Sequence, residues 1–110
     1  MSSDVGATFS ALADPTRRRV IALLADRGTA TASEIARELP ITRQAVGKHL
    51  AALDAAGLVS VRRQGREARY SLTARPLEEA VTWIASVGAE WDDRLARLEA
   101  YARHNLNARS

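Results

Sequence analysis

Apolar positions recur along this chain with a helical period for most of its length and give way to alternation once. Phe9 and Leu12 mark a short helix near the start. Asp14-Pro15-Thr16 opens the next one, an N-cap with proline at the first helical position, and that helix carries Val20, Ile21, Leu23 and Leu24 before Gly28 ends it. Thr31-Ala-Ser-Glu34 fits a capping box ahead of Ile35, Ala36 and Leu39, and Pro40 stops the helix. After about three residues of turn, Thr42 is placed to cap another. At 100° per residue, Ala45, Val46, Leu50, Leu53 and Ala56 fall on one arc of this helix, while Gln44, Gly47, Lys48, Ala51 and Ala55 fall on the other. One arc is core and the other is surface.

Gly57 closes that helix, and the period then changes. Leu58, Val59 and Val61 predict a short strand, and Ala68, Tyr70 and Leu72 alternate inward along a second. Gly65 between them supplies the positive φ that a hairpin tip needs. Two short helices at a sharp turn followed by a hairpin predict a mainly α fold with a small β-hairpin wing, a winged helix-turn-helix. The helix-turn-helix spans 31–56 and the wing 58–72, within a single domain of 110 residues. Beyond Pro76, the residues Leu77, Val81, Ile84, Gly88, Trp91, Leu95, Leu98 and Ala102 are spaced 4, 3, 4, 3, 4, 3 and 4, a heptad seam on a helix over 76–104. A helix of that length runs about 43 Å, longer than one small domain covers, so the seam predicts self-association. Gly88 permits close approach, the two tryptophans supply large anchors, and Phe9 and Leu12 on the first helix are expected to join the interface.

Charge sharpens the picture. Residues 1–40 carry five basic and five acidic side chains, residues 41–75 seven and two, and residues 76–110 four and six, so balances of 0, +5 and −2 lie behind the net +3. The basic third is the helix-turn-helix and wing, the electrostatic footprint of a nucleic-acid face. Arg62, Arg63, Arg66 and Arg69 are opposed in the hairpin by Glu67 alone, where a solvated turn would be served by mixed signs. The outward arc of the preceding helix carries the only lysine of the chain beside small residues, a low relief suited to a groove, although those small residues read equally as neutral surface. Gln44 and Lys48, four apart, are expected to face base edges across Gly47. Thr42, Arg43 and His49 flank them and are expected to meet phosphates, with Arg62, Arg63, Arg66 and Arg69 at phosphate or in the minor groove. Arg17, Arg18 and Arg19 point in three directions and form no single patch.

The chain resembles the ArsR-type family of bacterial winged-helix repressors. The likeness lies in Ala11-Leu-Ala-Asp-Pro-Thr-Arg-Arg, in Thr42-Arg-Gln-Ala-Val-Gly-Lys-His-Leu, in Gly57-Leu-Val and in Gly65-Arg66 with Tyr70-Ser-Leu, and it spans roughly residues 7 to 102. It implies a homodimeric DNA-binding transcription regulator whose terminal helices form the dimer interface, and with two-fold symmetry an inverted-repeat operator on double-stranded DNA is expected. Metal sensors of this family place cysteines near the first helix of the reading unit, or a His and carboxylate set along the last helix. This chain has no cysteine and two histidines, His49 and His104, so no metal site and no cofactor is expected.

Catalysis is disfavoured. The adjacent carboxylates Glu78/Glu79 and Asp92/Asp93 diverge by 100° around their helix, and no phosphate-cradling glycine loop is present. No segment approaches the roughly 20 apolar residues of a membrane span, so a cytoplasmic protein is expected. The competing reading is a winged-helix module for protein contact, because the fold does not fix the function. Such a module would carry apolar anchors where this chain has Gln44 and Lys48.

Overall fold

The computed structural model describes residues 5–109, with side chains through residue 105, and divides the chain into a compact unit through Ala80 and a second unit from Val81 onward. The first unit follows the order α1 (Val5–Leu12), α2 (Pro15–Arg27), β1 (Thr29–Thr31), α3 (Ala32–Glu38), α4 (Arg43–Ala55), β2 (Val59–Gln64) and β3 (Glu67–Leu72), and it takes in the first turns of α5 (Arg75–Arg109).

Local chemistry sets each boundary. The Asp14 carboxylate accepts from the backbone N–H groups of Thr16 at 2.7 Å and Arg17 at 3.2 Å, with Pro15 starting α2. The Thr31 hydroxyl accepts from Glu34 N–H at 3.1 Å while the Glu34 carboxylate accepts from Thr31 N–H at 3.0 Å, so the capping box of α3 is closed in both directions. At the end of α4, Gly57 N–H donates to the Asp54 carbonyl and Leu58 N–H to the Leu53 carbonyl, each at 2.9 Å. This is the paired 5→2 and 6→1 closure that requires the positive φ of 74° at Gly57. It also delivers Leu58 directly into the core, where it is fully buried.

That core is made by Val20, Leu24, Ile35, Val46, Leu50, Leu53 and Leu58, each at most 1% exposed. Ile21, Leu23, Leu39, Tyr70, Leu72 and Leu77 are packed around it, partly buried. The three helices of the reading unit and its scaffold therefore bury the faces that their periodicity marks.

The sheet departs from expectation in two ways. It has three strands, in the order β1-β3-β2 and antiparallel throughout, because the short Thr29-Ala-Thr31 segment after Gly28 pairs with β3. A run of three residues is too short to show alternation, so only its β-branched threonines hinted at it. Second, Val61 is 45% exposed although it pairs with Tyr70, because the hairpin projects past the helices that would cover it. The hairpin tip is as expected: Gln64 and Glu67 close a two-residue loop in which Gly65 has φ of 62° and Arg66 has a negative φ, the φ signs of a type II′ turn.

From Val81 the second unit is helix alone. The helix α5 is 35 residues long, about 52 Å, extending past both ends of the span that the heptads predict. Its seam is open: Val81 and Leu98 are each 64% exposed, Trp91 59% and Leu95 49%, with Ile84 and Gly88 also exposed. Leu77 is the exception, since it packs on the core of the first unit. Trp83, Val87 and Tyr101, also exposed, flank the seam on one side and widen the apolar stripe beyond strict heptad positions.

Two carboxylates tie this fold to acid. The N–H groups that cap α2 hold the Asp14 carboxyl below its ordinary value of 3.8, and the Thr31 N–H, with Arg69 and Arg27 behind it, holds Glu34 below 4.5. A carboxyl depressed in the folded state contributes stability that is present above its unfolded value and is lost as pH falls through the folded one. Stability should thus be flat near neutrality and decline below about pH 4.5. Chemical denaturation across that range should show Glu34→Gln less stable at pH 7 and losing less on acidification than the parent chain.

Candidate nucleic-acid interface

The surface most suited to a polyanion is built on α4. Its inward residues Val46, Leu50 and Leu53 are locked in the core, which forces Gln44, Gly47, Lys48, Ala51 and Ala55 outward, all exposed. The Thr42 hydroxyl accepts from Ala45 N–H at 3.1 Å and fixes where the helix begins. Thr42, Gln44 and Lys48 border one shallow recess of about 180 Å³, so the two side chains able to read base edges do face the same way. A Cβ built on Gly47 would meet nothing within 4 Å. The protein's own packing therefore does not require glycine there, and a glycine in mid-helix is a local cost with no internal return.

His49 and Arg43 are anchored from neighbouring helices. Arg17 Nε on α2 donates to His49 Nδ1 at 3.4 Å, which makes the half-buried His49 a link between α2 and α4. Arg43, at the first position of α4, donates from Nε to the Ser33 hydroxyl of α3 at 2.9 Å. The turn between α3 and α4 is thereby bridged by side chains. The α2 arginines do diverge: Arg18 donates to the Leu12 carbonyl, Arg17 turns to His49, and Arg19 is exposed.

The four wing arginines, read from the sequence as one cluster, separate in space. Strand alternation puts Arg62 and Arg63 on opposite faces of the sheet. Arg63 and Arg66 line a recess of about 270 Å³ together with Arg43 and Ser33. Arg62 lies on the other face, opposite Arg69 in the strand register, beside the paired hydroxyls of Ser60 and Ser71. Like charges directly opposed across strands repel. Arg69 is the member whose charge is taken up internally: its guanidinium lies 3.2 Å from Glu34 and 3.8 Å from Glu67 and donates to the Thr29 hydroxyl at 3.3 Å. Glu34 also draws Arg27, at 3.9 Å, so one carboxylate joins α2, α3 and β3. Arg69, expected from the sequence at phosphate or in the minor groove, is in the folded chain a tie between sheet and helices. The period-two alternation carried the signal for Arg62 against Arg63, whereas the partnership with Glu34, 35 residues away, had none.

Among the described residues, no three His, Asp or Glu side chains gather as a metal site would require, and no helix is long and apolar enough to cross a membrane.

Known proteins share this arrangement. A helix-turn-helix domain family matches residues 12–62. The transcriptional repressor SdpR of Bacillus subtilis is 33% identical over 87 residues, covering 79% of this chain and 96% of that protein. The regulator CmtR of Mycobacterium tuberculosis is 39% identical over 84 residues, covering 73% of this chain and 70% of that protein. Among solved structures, an ArsR-like transcriptional regulator from Rhodococcus sp. RHA1 superposes with a TM-score of 0.81 at 40% identity, covering 89% of this chain and 92% of that one.

The differing placement of two wing arginines has a direct consequence for stability. Arg69→Ala takes from Glu34 the nearer of its two guanidinium partners and breaks the tie between β3 and α3, whereas Arg66→Ala removes a side chain from an exposed turn. Thermal unfolding should show a clear fall in melting temperature for Arg69→Ala and no change beyond error for Arg66→Ala.

Proposed function

The chain belongs to the ArsR-type helix-turn-helix family and is a DNA-binding transcriptional regulator, not an enzyme, and we propose that it acts as a homodimeric repressor that reads an inverted-repeat operator through α4. The observation that carries this reading is the outward face of α4: Gln44 and Lys48 over one recess, with a glycine between them that internal packing does not require. In the major groove Gln44 pairs with adenine N6 and N7, and Lys48 donates to guanine acceptors. Thr42, Arg43 and His49 set the register on phosphates, and Arg62, Arg63 and Arg66 carry the wing's contacts to backbone or minor groove.

Repression, by occlusion of a promoter, is supported by the likeness to the transcriptional repressor SdpR, 96% of whose length this chain covers. The dimer is supported by the open stripe on α5, in which Trp91, Leu95 and Ile84 are about half exposed and would be covered by the same stripe of a second copy. Phe9 and Leu12, half-buried on α1, belong to the same proposal as further interface residues. A cytoplasmic location, alongside the chromosome, completes the reading.

Two variants on one helix turn should differ from one on the wing. Gln44→Ala should cost about 1 to 3 kcal/mol on the selected operator and little on random DNA, while Arg66→Ala should weaken both and lower the salt slope by about one unit per subunit. Gly47→Ala should move in opposite directions, stabilising the fold by up to about 1 kcal/mol while weakening operator binding through the added methyl. Fluorescence titrations across a salt series on a site selected from a random pool read all three. Equal losses for Gln44→Ala on operator and random DNA would overturn the groove assignment.

Assembly has its own measurement. Sedimentation at low micromolar concentration should give twice the 11.9 kDa chain mass, and Trp91→Ala with Leu95→Ala should shift it to the monomer. A folded monomer in the parent chain would overturn the dimer.

A further inference from the structure

The recess between α4 and the wing has an architecture that neither element explains alone. Its floor and walls bring three guanidinium groups from three places, Arg43 from the first residue of α4, Arg63 from β2 and Arg66 from the hairpin turn, around the Ser33 hydroxyl. Glu67 is the one carboxylate on the rim, and it lies 3.8 Å from Arg69, two residues along the same strand. The other ion pairs of this region draw on Glu34, which gathers Arg27 and Arg69. The positive charge of the recess is therefore left for something outside the protein, while the neighbouring arginine is neutralised from within. Arg43 is already held in a defined pose by its Nε bond to Ser33 at 2.9 Å, which leaves its terminal nitrogens to donate elsewhere. Forked donors converging from several sides suit a tetrahedral oxyanion.

We infer that this recess clamps a single backbone phosphate of the DNA, held jointly by Arg43, Arg63 and Arg66, and that this shared phosphate locks the wing and the reading helix in one register on the duplex. The inference rests on the DNA-binding reading of α4 and assigns a common ligand to residues there treated one by one. Arg62, on the opposite face of the sheet, is outside the clamp. Arg43 acts here as a positioning residue: without it the wing and α4 bind as two independently tethered contacts.

The salt dependence of operator binding separates one phosphate from several, because each neutralised phosphate contributes about 0.9 to the slope of log affinity against log salt. With a shared phosphate, the dimer in which Arg43→Ala and Arg63→Ala are combined should lose about 0.9 of slope per subunit, no more than one phosphate's worth. Two separate phosphates would give about 1.8 per subunit and overturn the clamp. Scanning the operator with single neutral methylphosphonates should show one phosphate per half-site whose replacement weakens the parent protein at least tenfold and leaves the double variant indifferent. Sensitivity that persists in the double variant would also overturn it. Inorganic phosphate added at constant ionic strength should not displace the operator, and displacement would assign the recess to a free oxyanion instead. Arg62→Ala, whatever it changes elsewhere, should keep the parent's tenfold loss at that one phosphate. Failure to select any operator at all would strike the DNA reading itself, and so is distinguishable from failure of the clamp.

Discussion

The junction at Thr31 and Glu34 holds the reading unit together. Thr31 is at once the last residue of β1 and the N-cap of α3, so the strand hands its chain to the helix with no intervening loop. Glu34 returns the capping bond and then reaches across to Arg69 on the central strand and Arg27 on α2. A single carboxylate thus answers a backbone donor at a helix start and two guanidinium groups from other elements. At about a quarter exposure on both side chains, the Glu34 and Arg69 pair is less screened than an open surface pair and needs no full desolvation. Orientation of the wing relative to α3 follows from it.

On that frame, α4 has little freedom. Three large apolar side chains fill the core on one side, a threonine cap fixes the first turn, and a glycine closure fixes the last. Arg43 and His49 add side-chain ties to α3 and α2. A helix held this firmly presents its outward residues as a rigid face, which is what recognition of base edges needs, since a groove contact tolerates little misplacement. Gly47, which internal packing does not require, leaves the surface low between Gln44 and Lys48 at a cost in helix propensity.

The helix α5 answers a different requirement. A first unit of about 80 residues buries a limited fraction of its surface and gains from any further apolar contact. Its stripe, wider than a two-stranded seam, leaves both tryptophans at least half exposed in the single chain. Two-fold association would meet both needs and would place two reading helices on one duplex.

Everything governed by near neighbours in the chain was legible without the fold. The caps at Asp14, Thr31 and Thr42, the closures at Gly28, Gly57 and Gly65, and the two arcs of α4 all depend on residues within about one or two helical turns, and the structure reproduces them. The family resemblance rested on those same local motifs. What the sequence could not decide was partnership at long range. Strand β1 is defined by pairing with residues forty positions later, and a three-residue run has no period of its own. Leu77 fits the heptad seam as well as its neighbours do, yet it packs on the core, because proximity to the first unit outweighs helical phase. Four arginines within eight positions look like one cluster until the sheet's register sends them to two faces and Glu34 claims one of them. Charge can be counted along a chain, but which charge remains unanswered depends on what the folded backbone brings within a few ångströms of it.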